Sequence, residues 1–309
     1  RCYNGHRPGL RSFFMIALFK TTALGLFIMF MSVGGAQAQS AKDIMIMVDE
    51  RTRQQNDSSF TILRISTCKY GLKGSKVKCT KKPVVKKLES ASITVGQNGK
   101  DIQSILFVRE PKSERGVGML SHTYDDPAKD NETWLYLSAL GKVKRMVASN
   151  SDDDSEHVSL FGSEFTTEDQ ETGKIDEYEY ALLDRVTYKG RKAYVIEQVP
   201  NANRARKSRY SKSVVWIDQE RFVMLKAALY DRKGRETRRI FANKIEKING
   251  IYLARSVTLM NLVESRLSNM ALLSIDFGVD INPALLTKRA LTDTTFREKH
   301  LKSLRAQAN

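Results

Sequence analysis

Cysteine, tryptophan, histidine and proline are scarce in this chain. Its 309 residues hold three cysteines, two tryptophans, four histidines and six prolines. No two cysteines form a C-x-x-C pair, which excludes the common zinc and dithiol spacings. A G-x-S-x-G elbow, an H-E-x-x-H pair and a P-loop are all missing. The histidines are His6, His122, His157 and His300, and none pairs with a nucleophile. His122, beside Tyr124 and Asp125, reads as a strand-end residue, and His157 follows Asp152–Asp154, which reads as a solvated loop. A hydrolase of lipid or glycan is therefore the weakest reading; neither enzyme activity, metal nor cofactor is expected. Alternating βαβ units are absent too, against a dinucleotide fold.

The one long apolar run lies at the start. Phe13 to Val33 is largely apolar, follows Arg7 and Arg11, contains Lys20, and leads to Ala36-Gln37-Ala38. This order of charge, apolar stretch and A-x-A is that of a secretory signal, with cleavage expected before Gln39. The uninterrupted run after Lys20 is about a dozen residues, short of the roughly 20 that span a bilayer. The first methionine is Met15, so the true start is expected there, with residues 1–38 the leader as numbered. Gln39 is not the cysteine that a lipidated export signal requires. The mature protein is expected to be soluble and periplasmic.

Basic charge is plentiful. Of 51 Lys and Arg, four belong to the leader, so 47 face 35 acids from Gln39 onward, a net of +12. Such a surface suits anionic membranes or acidic protein faces, and export argues against nucleic acid. Basic clusters lie at Lys73–Lys87, at Arg204, Arg206, Lys207 and Arg209, and at Arg232–Arg239. The second interrupts a connection between strands and is the candidate docking loop. Cys68 and Cys79 flank a Gly-Leu-Lys-Gly turn as cross-strand partners would. An oxidising compartment favours a disulfide over two buried thiols.

A helix is expected from Ser40 to about Gln55, with Ser40 as N-cap, Ile44, Met47 and Val48 inside, and Asp49, Glu50 and Arg53 outside. The remainder reads as strand after strand: Phe60–Thr67, Ile102–Arg109, Trp134–Leu137, Ser213–Ile217, Phe222–Tyr230, Thr237–Ile248 and Tyr252–Val263. In Tyr178–Tyr188, Tyr178, Tyr180, Leu182, Val186 and Tyr188 share one face by alternation. Lys189-Gly190 and Asn249-Gly250 mark hairpins. Ser149–Glu156 reads as an acidic loop, Phe161–Glu171 as a lid-like excursion, and 297–309 as a basic, frayed tail after a single domain at 39–296. Several strands are apolar on both faces, as in Trp134-Leu135-Tyr136-Leu137 and Val214-Val215-Trp216-Ile217. Patterning leaves two accounts open: a filled sandwich or barrel, and a curved sheet with an incompletely filled hollow.

Six segments in order carry a resemblance: WLYLSALGKVKRM, GSEFTTED, YEYALL, VVWIDQERFVMLKAALYDRKG, INGIYLARSVTLMN and VDINPALLTKRAL. From about Lys42 to Phe296 the chain resembles outer-membrane lipoprotein-sorting proteins, the LolA-like group found with inner-membrane exporters. It departs in Ser138, where a proline is usual, in SNMALLSI, and in the Cys68–Cys79 hairpin, which looks like an addition. The resemblance implies a mainly β fold, an antiparallel sheet curled into an incomplete half-barrel, with an N-terminal helix and lid-like helices over an apolar cavity. It implies a periplasmic carrier of lipid or lipoprotein acyl chains between inner and outer membranes, working with an exporter of the RND/MMPL type. By analogy, Trp134, Tyr136, Phe161, Phe165, Trp216 and Leu225 are candidates for cavity or lid. Arg145, Glu168 and Asp169 are candidates to latch the lid to the sheet. The alternative is a non-catalytic periplasmic adaptor presenting basic loops to anionic lipid or a transporter.

Overall fold

The computed structural model describes residues 40–53, 57–96, 99–146, 159–170 and 174–307. The expected leader at 1–38, the acidic loop 149–156 and His157 lie outside these residues. Helix α1 (Ala41–Arg53) begins at the expected cap: Ser40 Oγ accepts from Asp43 N at 3.1 Å, and Asp43 Oδ2 accepts from Ser40 N at 3.2 Å. This reciprocal pair satisfies donors that a helix start otherwise leaves unmet. Ala41 and Ile44 are buried beneath it. Asp49 is buried as well, against the expectation that it faces out; the apolar stripe predicts the helix but not the polar pocket that one flank meets.

Fourteen strands follow among the described residues: β1 (Ser58–Lys73), β2 (Lys76–Cys79), β3 (Val84–Val95), β4 (Asp101–Glu110), β5 (Gly118–Thr123), β6 (Glu132–Leu137) and β7 (Lys142–Met146). Then come β8 (Tyr178–Tyr188), β9 (Arg191–Pro200), a single helical turn α2 (Ala202–Ala205), β10 (Tyr210–Asp218), β11 (Met224–Asp231), β12 (Glu236–Ile248), β13 (Ile251–Asn261) and β14 (Arg266–Phe277). They form one antiparallel sheet in the order β7-β6-β5-β4-β3-β1-β14-β13-β12-β11-β10-β9-β8, with β2 paired to β1 alone. The chain thus starts in the middle, winds out to β7, crosses to the far edge β8, and winds back to β1. The sheet is not closed into a barrel: among the described residues β7 and β8 are its edges. Short links impose this meander, because neighbours joined by two residues must run antiparallel. Lys189-Gly190 and Asn249-Gly250 are such links, and all four residues have positive φ (48°, 79°, 47° and 87°), as hairpin turns that match strand twist require.

The two faces of the sheet have different covers. On the β3–β7 half, alternate residues divide between them. Leu106, Val108 and Leu135 join one core cluster with α1 and Phe165; Ile105, Phe107, Trp134 and Tyr136 join another. The second cluster is closed by a Pro283–Leu286 turn, helix α3 (Lys288–Thr292) and helix α4 (Thr294–Gln307). Leu285, Leu286, Leu291 and Leu301 are at most 1% exposed there, each contributing about 1.5–3 kcal/mol by burial. The double-sided apolar strand Trp134–Leu137 is therefore covered on both sides.

The expected frayed tail is a correction. Residues 294–307 are helical and dock on the sheet through Arg305–Glu89 at 2.6 Å and Arg109–Glu298 at 2.5 Å. Polar composition suggested fraying because α4 buries only a narrow stripe and a cation. Arg297 is 4% exposed, donates to the carbonyls of Leu291 (3.0 Å) and Ala290 (3.3 Å), and stacks 4.7 Å over Phe107. Burial lowers the pKa of this guanidinium.

Cys68 and Cys79 form a disulfide, with Cα atoms 5.7 Å apart. The turn, however, is Gly74-Ser75 and not the Gly-Leu-Lys-Gly stretch, because Lys73 pairs with Lys76 and Tyr70 with Cys79. The two cysteines are diagonal on one face of the hairpin.

Candidate functional site

Between α1, strands β8–β14 and the segment crossing from β7 to β8, the sheet leaves a hollow of about 520 Å³. That volume falls within the roughly 300–1,000 Å³ of small-molecule pockets. Met45 and Val48 line it from the helix, Phe165 from the crossing segment, and Tyr180, Val215, Ile217, Met224, Ala227, Leu229, Ile240, Val257 and Met270 from the sheet. Three methionines, one on the helix and two on the sheet, suit guests of variable shape, since a thioether chain repacks easily. Asp49, Glu168, Asp169, Glu177 and Arg204 form its polar end. A wall this apolar can hold hydrocarbon without reading its chemistry.

The crossing segment is tied to the sheet by carboxylates. Residues 159–166 make a small hairpin, with Ser159 bridged to Thr166 and a tip in which Phe161 and Gly162 have φ of 51° and 74°. Glu164 accepts from Arg266 Nε at 2.5 Å and Asn261 Nδ2 at 3.0 Å, while its carbonyl accepts from Arg238 at 2.6 Å. Asp169 Oδ2 accepts from the backbone N and hydroxyl of Thr166, both at 2.8 Å, and lies 3.3 Å from Arg238. Its Oδ1 accepts from the Tyr210 hydroxyl at 2.7 Å. Burial, then the neighbouring Asp169 charge, push the Tyr210 phenol well above its ordinary range, so it stays a donor. Burial likewise raises Tyr180, whose hydroxyl donates to Ile175 O at 3.1 Å. Glu168 accepts from Ser208 Oγ at 2.5 Å and Arg209 N at 3.2 Å.

These partners correct several expectations. Among the described residues Arg145 pairs with Glu132 on the adjacent strand at 2.7 Å, not with Glu168 or Asp169. Glu168 and Asp169 lie in the crossing segment, where they meet Arg204 (3.4 Å) and Arg238 (3.3 Å). Arg204 is 9% exposed and pairs also with Glu177 at 3.7 Å, so it belongs to the interior, not to a docking loop. Its neighbours are engaged locally: Arg206 donates to Asn203 at 2.6 Å, Lys207 pairs with Asp130, and Arg209 lies 5.7 Å over the Tyr210 ring.

Among the cavity candidates, Phe165 lines the hollow. Phe161 is buried at the hairpin tip in the same core, where its carbonyl accepts from Lys86 at 2.8 Å. Trp134 and Tyr136 point to the opposite face, beneath the C-terminal helices. His122 packs edge-on to Trp134 at 5.2 Å with Nε2 3.3 Å from Leu286 O, a packing position. Trp216 also faces away from the hollow, under Lys226 Nζ at 4.0 Å. Desolvation, reinforced by Arg239, lowers the Lys226 pKa. Leu225 falls in a bulge: Trp216 pairs with Lys226 but Ile217 with Met224, so Met224 lines the hollow in its place. Among the described residues no three His, Cys, Asp or Glu side chains converge on a possible metal site.

Solved structures share this architecture. A DUF1329 family protein from Desulfovibrio piger superposes with a TM-score of 0.70 at 23% identity, over 81% of this chain and 97% of that one. A putative outer membrane lipoprotein-sorting protein domain from Vibrio parahaemolyticus gives 0.70 at 21% identity, covering 82% and 98%. A LolA superfamily protein from Nitrosomonas europaea gives 0.56 at 19%, covering 81% and 99%. The fold is thus the open half-barrel of LolA-like proteins, and the resemblance read from the six segments is shown at that level. A family model described as "-like: Uncharacterized protein" matches residues 100–293, well over half of the chain, and the chain belongs to that family. No curated protein matches it.

Proposed function

We propose that this protein is a periplasmic carrier whose half-barrel shelters acyl chains of a lipid or lipoprotein between inner and outer membranes, in partnership with an inner-membrane exporter. The observation that carries the reading is the unfilled apolar hollow of about 520 Å³ beneath α1 and Phe165. A sheltered methylene gains about 0.8 kcal/mol, so a long acyl chain crosses water at a useful rate only inside such a shelter. Release requires no bond cleavage, only movement of what covers the guest. Phe165 on the crossing segment and Met45 and Val48 on α1 are the covering groups. Mass spectrometry of organic extracts from the purified protein tests the proposal. Enrichment of an acyl lipid over a size-matched control protein is the expected result; equal extracts from both refute it.

A further inference from the structure

The hairpin formed by the end of β1 and β2 has a composition that nothing within the fold explains. From Lys69 to Lys87 there are eight lysines and not one acidic residue. Lys86 pairs with Glu114 at 2.5 Å; Lys69, Lys73, Lys76, Lys78, Lys81, Lys82 and Lys87 form no ion pair among the described residues. Lys73 and Lys76 sit directly opposite each other, a like-charge pairing that costs stability. Cross-strand partners share a face, so Leu72 with Val77 lies on one side and Lys73 with Lys76 on the other. Leu72 is 74% exposed and Val77 42%. The disulfide braces the base of this two-stranded ribbon, which alone would be marginal.

We propose that this hairpin docks the protein tip-first on an anionic lipid bilayer, Leu72 and Val77 entering the interface on one side of the ribbon and Lys73, Lys76 and Lys78 reaching headgroup phosphates on the other. Each lysine near an anionic surface adds to attraction, and its flexible apolar stem lets the ammonium reach phosphates from the side of an inserted tip. A protein partner fits less well. Protein interfaces are depleted in lysine and centre on Trp, Tyr and Arg, whereas this tip offers aliphatic groups and lysine. The inference goes beyond the carrier reading and stands whether or not the hollow is loaded.

Sedimentation of the purified protein with vesicles tests it. Vesicles of phosphatidylcholine alone are compared with vesicles that also contain phosphatidylglycerol. At least about tenfold stronger partitioning to the anionic vesicles is expected, weakened by high salt. Lys73→Glu, Lys76→Glu and Lys78→Glu combined should lower it at least about tenfold, and Leu72→Ser with Val77→Ser several-fold with all lysines intact. All five side chains are exposed, so folding should persist; an unchanged melting temperature and unchanged fatty-acid probe binding verify this and separate docking from cargo. Equal partitioning to both vesicle types, or unaltered binding by the charge-reversed variant, overturns the proposal. Retention on immobilised polyglutamate without vesicle binding overturns it in favour of an acidic protein partner.

Discussion

Replacing Asp169 tests whether the crossing segment is held by the buried network described above. Its side chain is 1% exposed and faces Arg238, itself 9% exposed. Asp169→Ala removes four interactions at once: two from Thr166, one from Tyr210 and one from Arg238. Removing one partner of a buried ion pair costs about 3–5 kcal/mol. Arg238 keeps the Glu164 carbonyl at 2.6 Å, which places the expectation at the lower end, about 3 kcal/mol. For a domain of this size that lowers the melting temperature by about 6–12 °C. Asp169→Asn keeps the shape but turns an amide toward donors, and should lie between the variant and wild type. Thermal unfolding followed by circular dichroism gives the first number. Hydrogen exchange gives the second: amides of 160–169 should lose protection before those of β4. A shift below about 2 °C in the alanine variant, or unchanged exchange in that segment, would refute the latch.

Two further outcomes follow from packing and charge. A Cβ at Gly118 would lie 2.6 Å from the Phe107 ring and 3.2 Å from Leu291, so Gly118→Ala should destabilise by about 1–3 kcal/mol in denaturant melts, while Gly250→Asn, at a hairpin turn with open space around it, should cost less. Asp218 lies 1% exposed beside Arg191. Burial pushes its pKa up, but the Arg191 guanidinium and the Arg221 and Glu220 backbone N–H groups outweigh this and hold it below the ordinary value. Its contribution is therefore complete above about pH 4 and is lost as pH falls through the lower folded value. The stability difference between wild type and Asp218→Asn should shrink on acidification below about pH 4; a constant difference would contradict the pairing.

Much of the sheet was legible because hairpin chemistry is local. Asn249-Gly250 and Lys189-Gly190 mark their turns by residue type, and Ser40 marks the start of α1. Bulges were not legible. Tyr178–Tyr188 alternates cleanly on paper, yet Leu182 pairs with Ile196 and Asp184 with Val195. The extra residue flips the face, so Val186 and Tyr188 lie opposite Tyr180 and Leu182. The same slip at Leu225 moved a cavity residue to Met224. Long-range polar pairing was equally hidden. Arg204 reads as a surface cation among Arg206, Lys207 and Arg209, and only the fold brings Glu168 and Glu177 to it. The strand Trp134–Leu137 announced two covered faces without saying which cover lay where, since α3 and α4 are distant in sequence. The methionines at 45, 224 and 270 are the wall residues that alternation alone passed over, though their clustering in apolar stretches was a usable signal.

Titration with a fluorescent fatty acid, comparing wild type with Ala227→Trp, tests the central claim most directly. Ala227 is 2% exposed and lines the hollow, so the indole occupies the space assigned to the guest. Saturable binding by the wild type, weakened at least about tenfold in a variant that melts no lower, is the predicted result. Equal affinity in the two proteins, or no binding by the wild type, would contradict it.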